Sequence, residues 1–85
     1  MSDRVLLVDD DPNLLASFQR RLRKQADLTT AESGAAGLEQ IQTGGPFAVV
    51  VSDYCMPGMN GIEVIERIRS FSAEIPVIMI TAVAG

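Results

Sequence analysis

The sequence predicts an α/β protein in which a parallel sheet is covered by helices on both faces. Two observations support this prediction. Continuous apolar runs, typical of strands buried on both faces, lie at 4–10, 47–53 and 75–82. Segments with apolar residues at helical spacing separate them, together with a weaker strand-like run at 27–33. The resulting order, β-α-β-α-β-α-β, implies parallel strands joined by right-handed crossovers.

The first strand, RVLLVDD (4–10), ends in acids and leads directly into a helix. Asp11 and Pro12 are typical of an N-cap followed by the first helical position. The apolar stripe of this helix comprises Leu14, Leu15, Phe18 and Leu22. Its far end carries a group of cations: Arg20, Arg21, Arg23 and Lys24. Cations in a last turn complement the helix dipole, so we interpret this group as a solvated helix end in preference to a binding patch.

The remaining elements follow the same alternation. After the second strand, DLTTAES (27–33), Ser33 is a candidate cap for a helix that ends at Gly44-Gly45-Pro46. We expect this helix to turn Ala35, Leu38 and Ile41 inward. The third strand is FAVVVSD (47–53), and Gly61 leads into the helix IEVIERIRSF (62–71), with Ile62, Ile65 and Ile68 on one face. IPVIMITA (75–82) is the last strand.

Length and composition limit the possible classes of protein. A chain of 85 residues forms one small domain. The net charge of −4 argues against binding of this segment to nucleic acid or to an anionic membrane. The single cysteine, Cys55, excludes an internal disulfide and suits a reducing compartment, and no apolar run reaches membrane-spanning length, so we expect a cytoplasmic protein. With no histidine in the chain, any histidine that takes part in its chemistry must belong to another protein.

Carboxylates follow two of the predicted strands. Asp9 and Asp10 end the first strand, and Asp53 ends the third. Ligands of open parallel sheets bind beyond the carboxyl ends of the strands, so neighbouring strands would bring these three acids into one crevice. Such a cluster repels itself unless a cation lies among the carboxylates, and hard oxygen ligands with room for water suit Mg²⁺. An aspartyl phosphate is a possible covalent product of that arrangement.

Thr81 ends the last strand at the same edge of the sheet. Its hydroxyl could donate a hydrogen bond to a phosphoryl oxygen. It could equally be a β-branched residue that closes a strand, with Ala82 small because the loop is tight. The residues alone leave both interpretations open.

The segments LLVDDD, VVSDYCMPGMNG and PVIMITA, in this order, resemble the receiver domain of two-component response regulators over the whole chain. The resemblance implies a flavodoxin-like, doubly wound, three-layer fold with strand order 2-1-3-4. It implies a phosphoacceptor signalling domain and not an enzyme. The partner would be a sensor histidine kinase or a phosphotransfer protein, and the cofactor Mg²⁺.

The same resemblance implies roles for individual residues. Asp53 matches the phosphoacceptor, Asp10 the direct metal ligand, and Asp9 the acid that reaches the metal through water. Cys55 falls where the family uses a backbone carbonyl on the metal. Thr81 matches the switch hydroxyl and Ala82 the small residue that leaves it room. Pro57 and Gly61 match the loop beside the acceptor.

The family pattern also has a lysine and an aromatic residue on a fifth strand, which this sequence does not contain up to Gly85. We therefore expect residues 1–85 to be a partial receiver domain that lacks the fourth helix, fifth strand and fifth helix. The last strand would then be an apolar edge, and edges of that kind pair with other chains, so we expect self-association. The identity of any output domain is not encoded here.

Two other interpretations differ in function. The acids Asp9, Asp10 and Asp11 also resemble the D-x-D of haloacid-dehalogenase-like phosphotransferases, in which Asp9 would be the nucleophile and Asp11 the acid/base. That hypothesis leaves SDYCMPGMNG unexplained and would require turnover of a phosphate ester. The second is a receiver-like interaction module that is not phosphorylated, and it stays open for this segment.

Overall fold

The computed structural model describes residues 4–44, 47–53, 58–71 and 74–80. They form seven elements in the predicted order. The elements are β1 (Arg4–Val8), α1 (Pro12–Leu22), β2 (Asp27–Ala31), α2 (Gly34–Gly44), β3 (Val49–Asp53), α3 (Gly61–Phe71) and β4 (Val77–Ile80). The strands are all parallel and lie in the order β2-β1-β3-β4, which confirms the fold class and the strand order.

The helices lie on two faces of the sheet. The chain moves from β1 to β2 in one direction and then returns past β1 to β3 and β4, so right-handed crossovers place α1 on the face opposite to α2 and α3. The main core lies on the α2/α3 face and contains Leu6, Val8, Ala31, Ile41, Phe47, Val50, Val64 and Ile68. Leu7 and Leu15 are also buried but lie outside that cluster, in agreement with a second, smaller layer of packing.

The predicted strands were too long at their ends. β1 ends at Val8, so Asp9 and Asp10 lie beyond it, although the Asp9 amide still donates to the Ala31 carbonyl at 3.0 Å. β2 ends at Ala31, because the side chain of Ser33 caps α2 through the Ala36 amide. β3 begins at Val49 and β4 at Val77, since the pairing with the neighbouring strands starts there. Thr81 and Ala82, predicted in the last strand, lie outside the described residues.

Two predictions about helix faces were wrong. Ala35 is exposed, and Gly34 and Gly37 are buried in its place. The reason is a close approach of α2 to the sheet: a β-carbon on Gly37 would lie 2.8 Å from the Cγ2 atom of Val8. On α3 the predicted inward residue Ile62 is 45% exposed, whereas Val64 and Ile68 are buried four residues apart. Those two side chains, one helical turn apart, define the face that meets the sheet.

Side-chain caps fix where the helices start. The Asp11 carboxylate accepts hydrogen bonds from the amides of Asn13 and Leu14, and Pro12 occupies the first turn, as predicted. The Asn60 side chain accepts from the Glu63 amide and so caps α3, which the sequence analysis had not proposed. Within the described parts of the chain, no helix is both long enough and apolar enough to cross a membrane.

Candidate phosphoacceptor and metal site

The sheet register brings the predicted acids together. In the parallel pairing of β1 with β3, Val8 lies opposite Ser52, so the residues that follow, Asp9 just beyond β1 and Asp53 at the end of β3, lie side by side. One carboxylate oxygen from each of Asp9, Asp10 and Asp53 lies within 4.8 Å of the other two. Asp9 and Asp53 are half-buried, whereas Asp10 is exposed to solvent. The crevice expected at the carboxyl edge of the sheet is therefore lined by three convergent carboxylates.

Asp9 is held by the turn into α1. Its Oδ1 atom accepts a hydrogen bond from the Asp11 amide at 2.9 Å. Burial raises the pKa of the Asp9 carboxyl, and the charges of Asp53 and Asp10 and a hydrogen bond that protonated Asp9 donates to the Asp10 carboxylate add to that increase. The Asp11 amide opposes the shift because it stabilises the carboxylate. The repulsion among the three carboxylates therefore contributes to the raised pKa of Asp9.

Asp53 is placed by the end of β3. Before it, Ser52 is wholly buried, and its hydroxyl donates to the Asp53 carbonyl at 3.2 Å. Asp53 also pairs across the sheet with Ile80, the residue before Thr81. The predicted positions Cys55, Pro57, Thr81 and Ala82 lie outside the described residues, and Gly61 is the first residue of α3.

The donor set fits a hard divalent cation. Three carboxylates supply oxygen atoms only, and the exposure of Asp10 leaves the crevice open to water. Mg²⁺ favours such a site because it keeps several water ligands beside one or two protein carboxylates. A cation at this position would also offset the repulsion from Asp53 and Asp10 that, after burial, contributes to the raised pKa of Asp9.

Asp11 has a different function from the cluster. Its carboxylate accepts the Asn13 and Leu14 amides at 3.0 and 3.4 Å, and it does not belong to the set of three converging acids. The residue contributes to the site through its own amide, which orients Asp9. Sequence reasoning had assigned Asp11 the cap and, in the haloacid-dehalogenase-like alternative, an acid/base role, but not this amide contact, although a D-x-D pattern directly after a strand is compatible with the turn.

A doubly wound parallel sheet with carboxylates at its carboxyl edge is typical of α/β proteins that bind their ligands beyond the ends of the strands. Comparison with known families is more specific: the chain belongs to the response regulator receiver domain family, whose model matches residues 5–85. It is therefore a signalling domain of two-component systems, as the sequence resemblance predicted.

Individual relatives agree with this assignment. Transcriptional regulatory protein PrrA of Mycobacterium tuberculosis is 38% identical over 82 residues, which are 95% of this chain and 35% of that protein. The chain spans about a third of the length of the curated relatives it matches. Among solved structures, an adenylate cyclase from Rhodopirellula baltica superposes with a TM-score of 0.88 at 42% identity, over 93% of this chain and 58% of that one.

A second similar structure was solved as a complex with a ligand. The response regulator TrrA from Thermotoga maritima, in complex with Mg(2+)-BeF, superposes with a TM-score of 0.86 at 33% identity. The match covers 99% of this chain and 72% of TrrA. These likenesses confirm the flavodoxin-like receiver fold.

Proposed function

We propose that this receiver domain accepts a phosphoryl group on Asp53 from a sensor histidine kinase or a phosphotransfer protein, with Mg²⁺ as cofactor. The observation that carries the proposal is the meeting of the Asp9, Asp10 and Asp53 carboxylates within 4.8 Å at the carboxyl edge of the sheet. The Mg(2+)-BeF complex of the related TrrA supports a metal-dependent site of this kind.

The bond changes in the transfer involve a carboxylate oxygen of Asp53, the phosphorus atom and the donor nitrogen. An oxygen of Asp53 donates an electron pair to phosphorus, and the bond from phosphorus to the donor nitrogen breaks. The nitrogen keeps that bonding pair and takes a proton from water. The product is an acyl phosphate on Asp53, and no oxidant or reductant is involved.

The other carboxylates act by holding charge. Asp10, Asp53 and the backbone carbonyl of Cys55 are the proposed direct metal ligands, and Asp9 is linked through water. When bound, the cation offsets the repulsion between an attacking carboxylate and an anionic phosphoryl group. Asp9 is held in place for this role by the Asp11 amide.

Thr81 and Ala82 complete the proposal. The last described residue of β4, Ile80, pairs with Asp53, and Thr81 follows Ile80 in the sequence. The Thr81 hydroxyl would turn toward the phosphoryl group and donate a hydrogen bond to one of its oxygens. The small side chain of Ala82 would leave room for Thr81 to turn. The chain spans about a third of the length of the curated relatives. The output and its switching are therefore not assigned to this segment.

The proposal is tested with acetyl phosphate and Mg²⁺ on the wild-type chain and Asp53→Asn. Intact-mass spectrometry should detect a phosphoryl adduct on the wild type that disappears with chelator and is absent from the variant. Asp11→Asn is the matched control, because it removes a neighbouring charge while an asparagine still caps α1. Equal labelling of Asp53→Asn and wild type would refute the assignment of the acceptor.

The same experiment separates the alternatives. Steady release of phosphate, abolished by Asp9→Asn and by Asp11→Asn, would indicate a haloacid-dehalogenase-like enzyme. A folded wild-type chain that takes up no label would favour the interaction module.

A further inference from the structure

A groove lies at the opposite end of the molecule from the acids. Its volume is about 770 Å³, and it runs between the last turn of α1, the following turn and the start of β2. Its wall includes the cations Arg20, Arg23 and Lys24 and the apolar residues Ala16, Ala26 and Leu28. We refer to this surface as the basic groove. Its volume is in the range of small-molecule sites.

The three cations of the basic groove are exposed and not engaged elsewhere. Among the residues that the structure describes, none of the three has an ion pair or a side-chain hydrogen bond. The one acid on the wall is Asp27. Its Oδ2 atom lies 3.8 Å from the Nε atom of Arg4, which is opposite Asp27 in the register of β1 and β2. Three positive charges therefore face the groove, in a chain whose net charge is −4.

Two of the last carbonyls of α1 already have backbone donors. The Gln19 carbonyl accepts from the Arg23 amide at 3.1 Å, and the Leu22 carbonyl accepts from the amides of Gln25 and Ala26. Cations near a helix end do complement the dipole, which would account for the charge. It does not account for a concave surface whose lining combines three cations with apolar side chains.

The acid cluster is too distant to cancel this positive field. The basic groove begins where β2 begins, at Asp27, and the acids lie beyond the far end of β1 and β3. A five-residue strand spans roughly 16 Å, and the Debye length is about 10 Å at 0.1 M salt. The two ends of the molecule are therefore electrostatically separate under ordinary conditions.

We propose that the basic groove binds a short polyphosphate, either free or as the phosphate chain of a nucleotide. Three cations around one concavity match several linked phosphates better than a single one, because each phosphate adds a charge-assisted contact. A compact ligand fits within the local positive field. A long nucleic acid would extend over the acidic remainder of the surface, which its charge opposes.

The test is a titration of the 85-residue chain with inorganic tripolyphosphate and with ATP, in chelator, so that no divalent cation draws phosphate to the acids. Binding should be detected by calorimetry at about 0.1 M salt and should weaken as salt is added. Amide NMR shifts should move at Ala26 and Leu28 and not at Asp9. Tighter binding of ATP than of tripolyphosphate would identify a nucleotide ligand that also contacts the apolar residues of the wall. Equal binding of the two would identify free polyphosphate as the ligand.

The decisive comparison uses two double charge reversals with the same net charge. R23E/K24E removes two cations of the basic groove and should weaken binding about tenfold. R21E/R67E reverses two exposed arginines that do not line the groove and should leave the affinity within about twofold. Melting curves establish that both variants are folded. No binding to the wild type at millimolar ligand, or equal loss in both variants, would overturn the proposal.

Discussion

At the scale of single residues, Asp9 shows what it costs to collect acids at one edge of a sheet. Burial and the neighbouring carboxylates raise its pKa above the ordinary value of 3.8. The folded state therefore binds more protons than the unfolded state as the pH rises from 3.8 through the raised pKa. Stability falls across that interval and stays lower above it, because the unfavourable charge is then fully present.

We expect Asp9→Asn to stabilise the chain at neutral pH in the absence of divalent cations. Asparagine keeps the oxygen that accepts the Asp11 amide but removes one of three like charges. A charge interaction of about 0.2–1 kcal/mol would raise the melting temperature by about 1–8 °C. The gain should vanish below pH 3.8, where the carboxyl is protonated in both states. A gain that is the same at all pH values would exclude an electrostatic origin.

Metal binding should reverse the sign of this effect. We expect Mg²⁺ to raise the melting temperature of the wild type, because the proposed site is assembled only in the folded state. Asp10→Ala should reduce the affinity for Mg²⁺ more than Cys55→Ala does, since the latter variant keeps its backbone carbonyl. Fluorescence or NMR titration of the two variants tests the proposed ligands, and equal losses would contradict them.

Part of this site was predictable from the sequence, for a physical reason. Parallel strands end at one edge, so acids that follow buried runs must converge if the strands are neighbours. Asp9, Asp10 and Asp53 meet that condition. The amide of Asp11 was not predictable in the same way, because every residue has an amide and only the turn geometry directs this one to Asp9.

At the scale of elements, the helices show where hydrophobic periodicity stops being informative. It predicted the order of elements and the buried positions Ile41 and Ile68, but it placed Ala35 and Ile62 inward. A period of 3.6 residues fits several faces of a short helix. The actual face of α2 is set by the close approach of Gly37 to Val8, and a glycine carries no hydrophobic signal.

We expect Gly37→Ala to destabilise the chain by about 1 kcal/mol. Alanine improves helix propensity by about 1 kcal/mol, but its β-carbon would lie 2.8 Å from the Cγ2 atom of the buried Val8, and overpacking costs about 1–3 kcal/mol. Chemical denaturation measures the difference. In a Val8→Ala background the same substitution should become stabilising, because the clashing methyl group is gone. Destabilisation of equal size in both backgrounds would show that the contact with Val8 is not the cause.

At the scale of the whole molecule, the two edges of the sheet differ in how they are built. β2 carries polar residues such as Asp27, Thr29 and Thr30, which suit an edge exposed to water. β4 pairs with β3 on one side, and no strand among the described residues pairs with its other side. Its residues are apolar, and Ile78 is 53% exposed. Charged or polar side chains normally protect such an edge from pairing with other chains.

We therefore expect the 85-residue chain to associate with a second copy through β4. Val77 packs against the core, so the alternation of side chains along a strand turns Ile78 toward the opposite face, where its apolar surface is open to a partner. Ile78→Lys should shift the chain toward monomer, because lysine is a residue that protects natural edges. Ile62→Lys is the matched control: Ile62 is 45% exposed but lies on α3, a helix that packs against α2 and β3, and so is not part of the β4 edge. Sedimentation velocity at micromolar concentration distinguishes the variants. A wild-type monomer with cooperative melting, or equal dissociation in both variants, would show that β4 does not drive association.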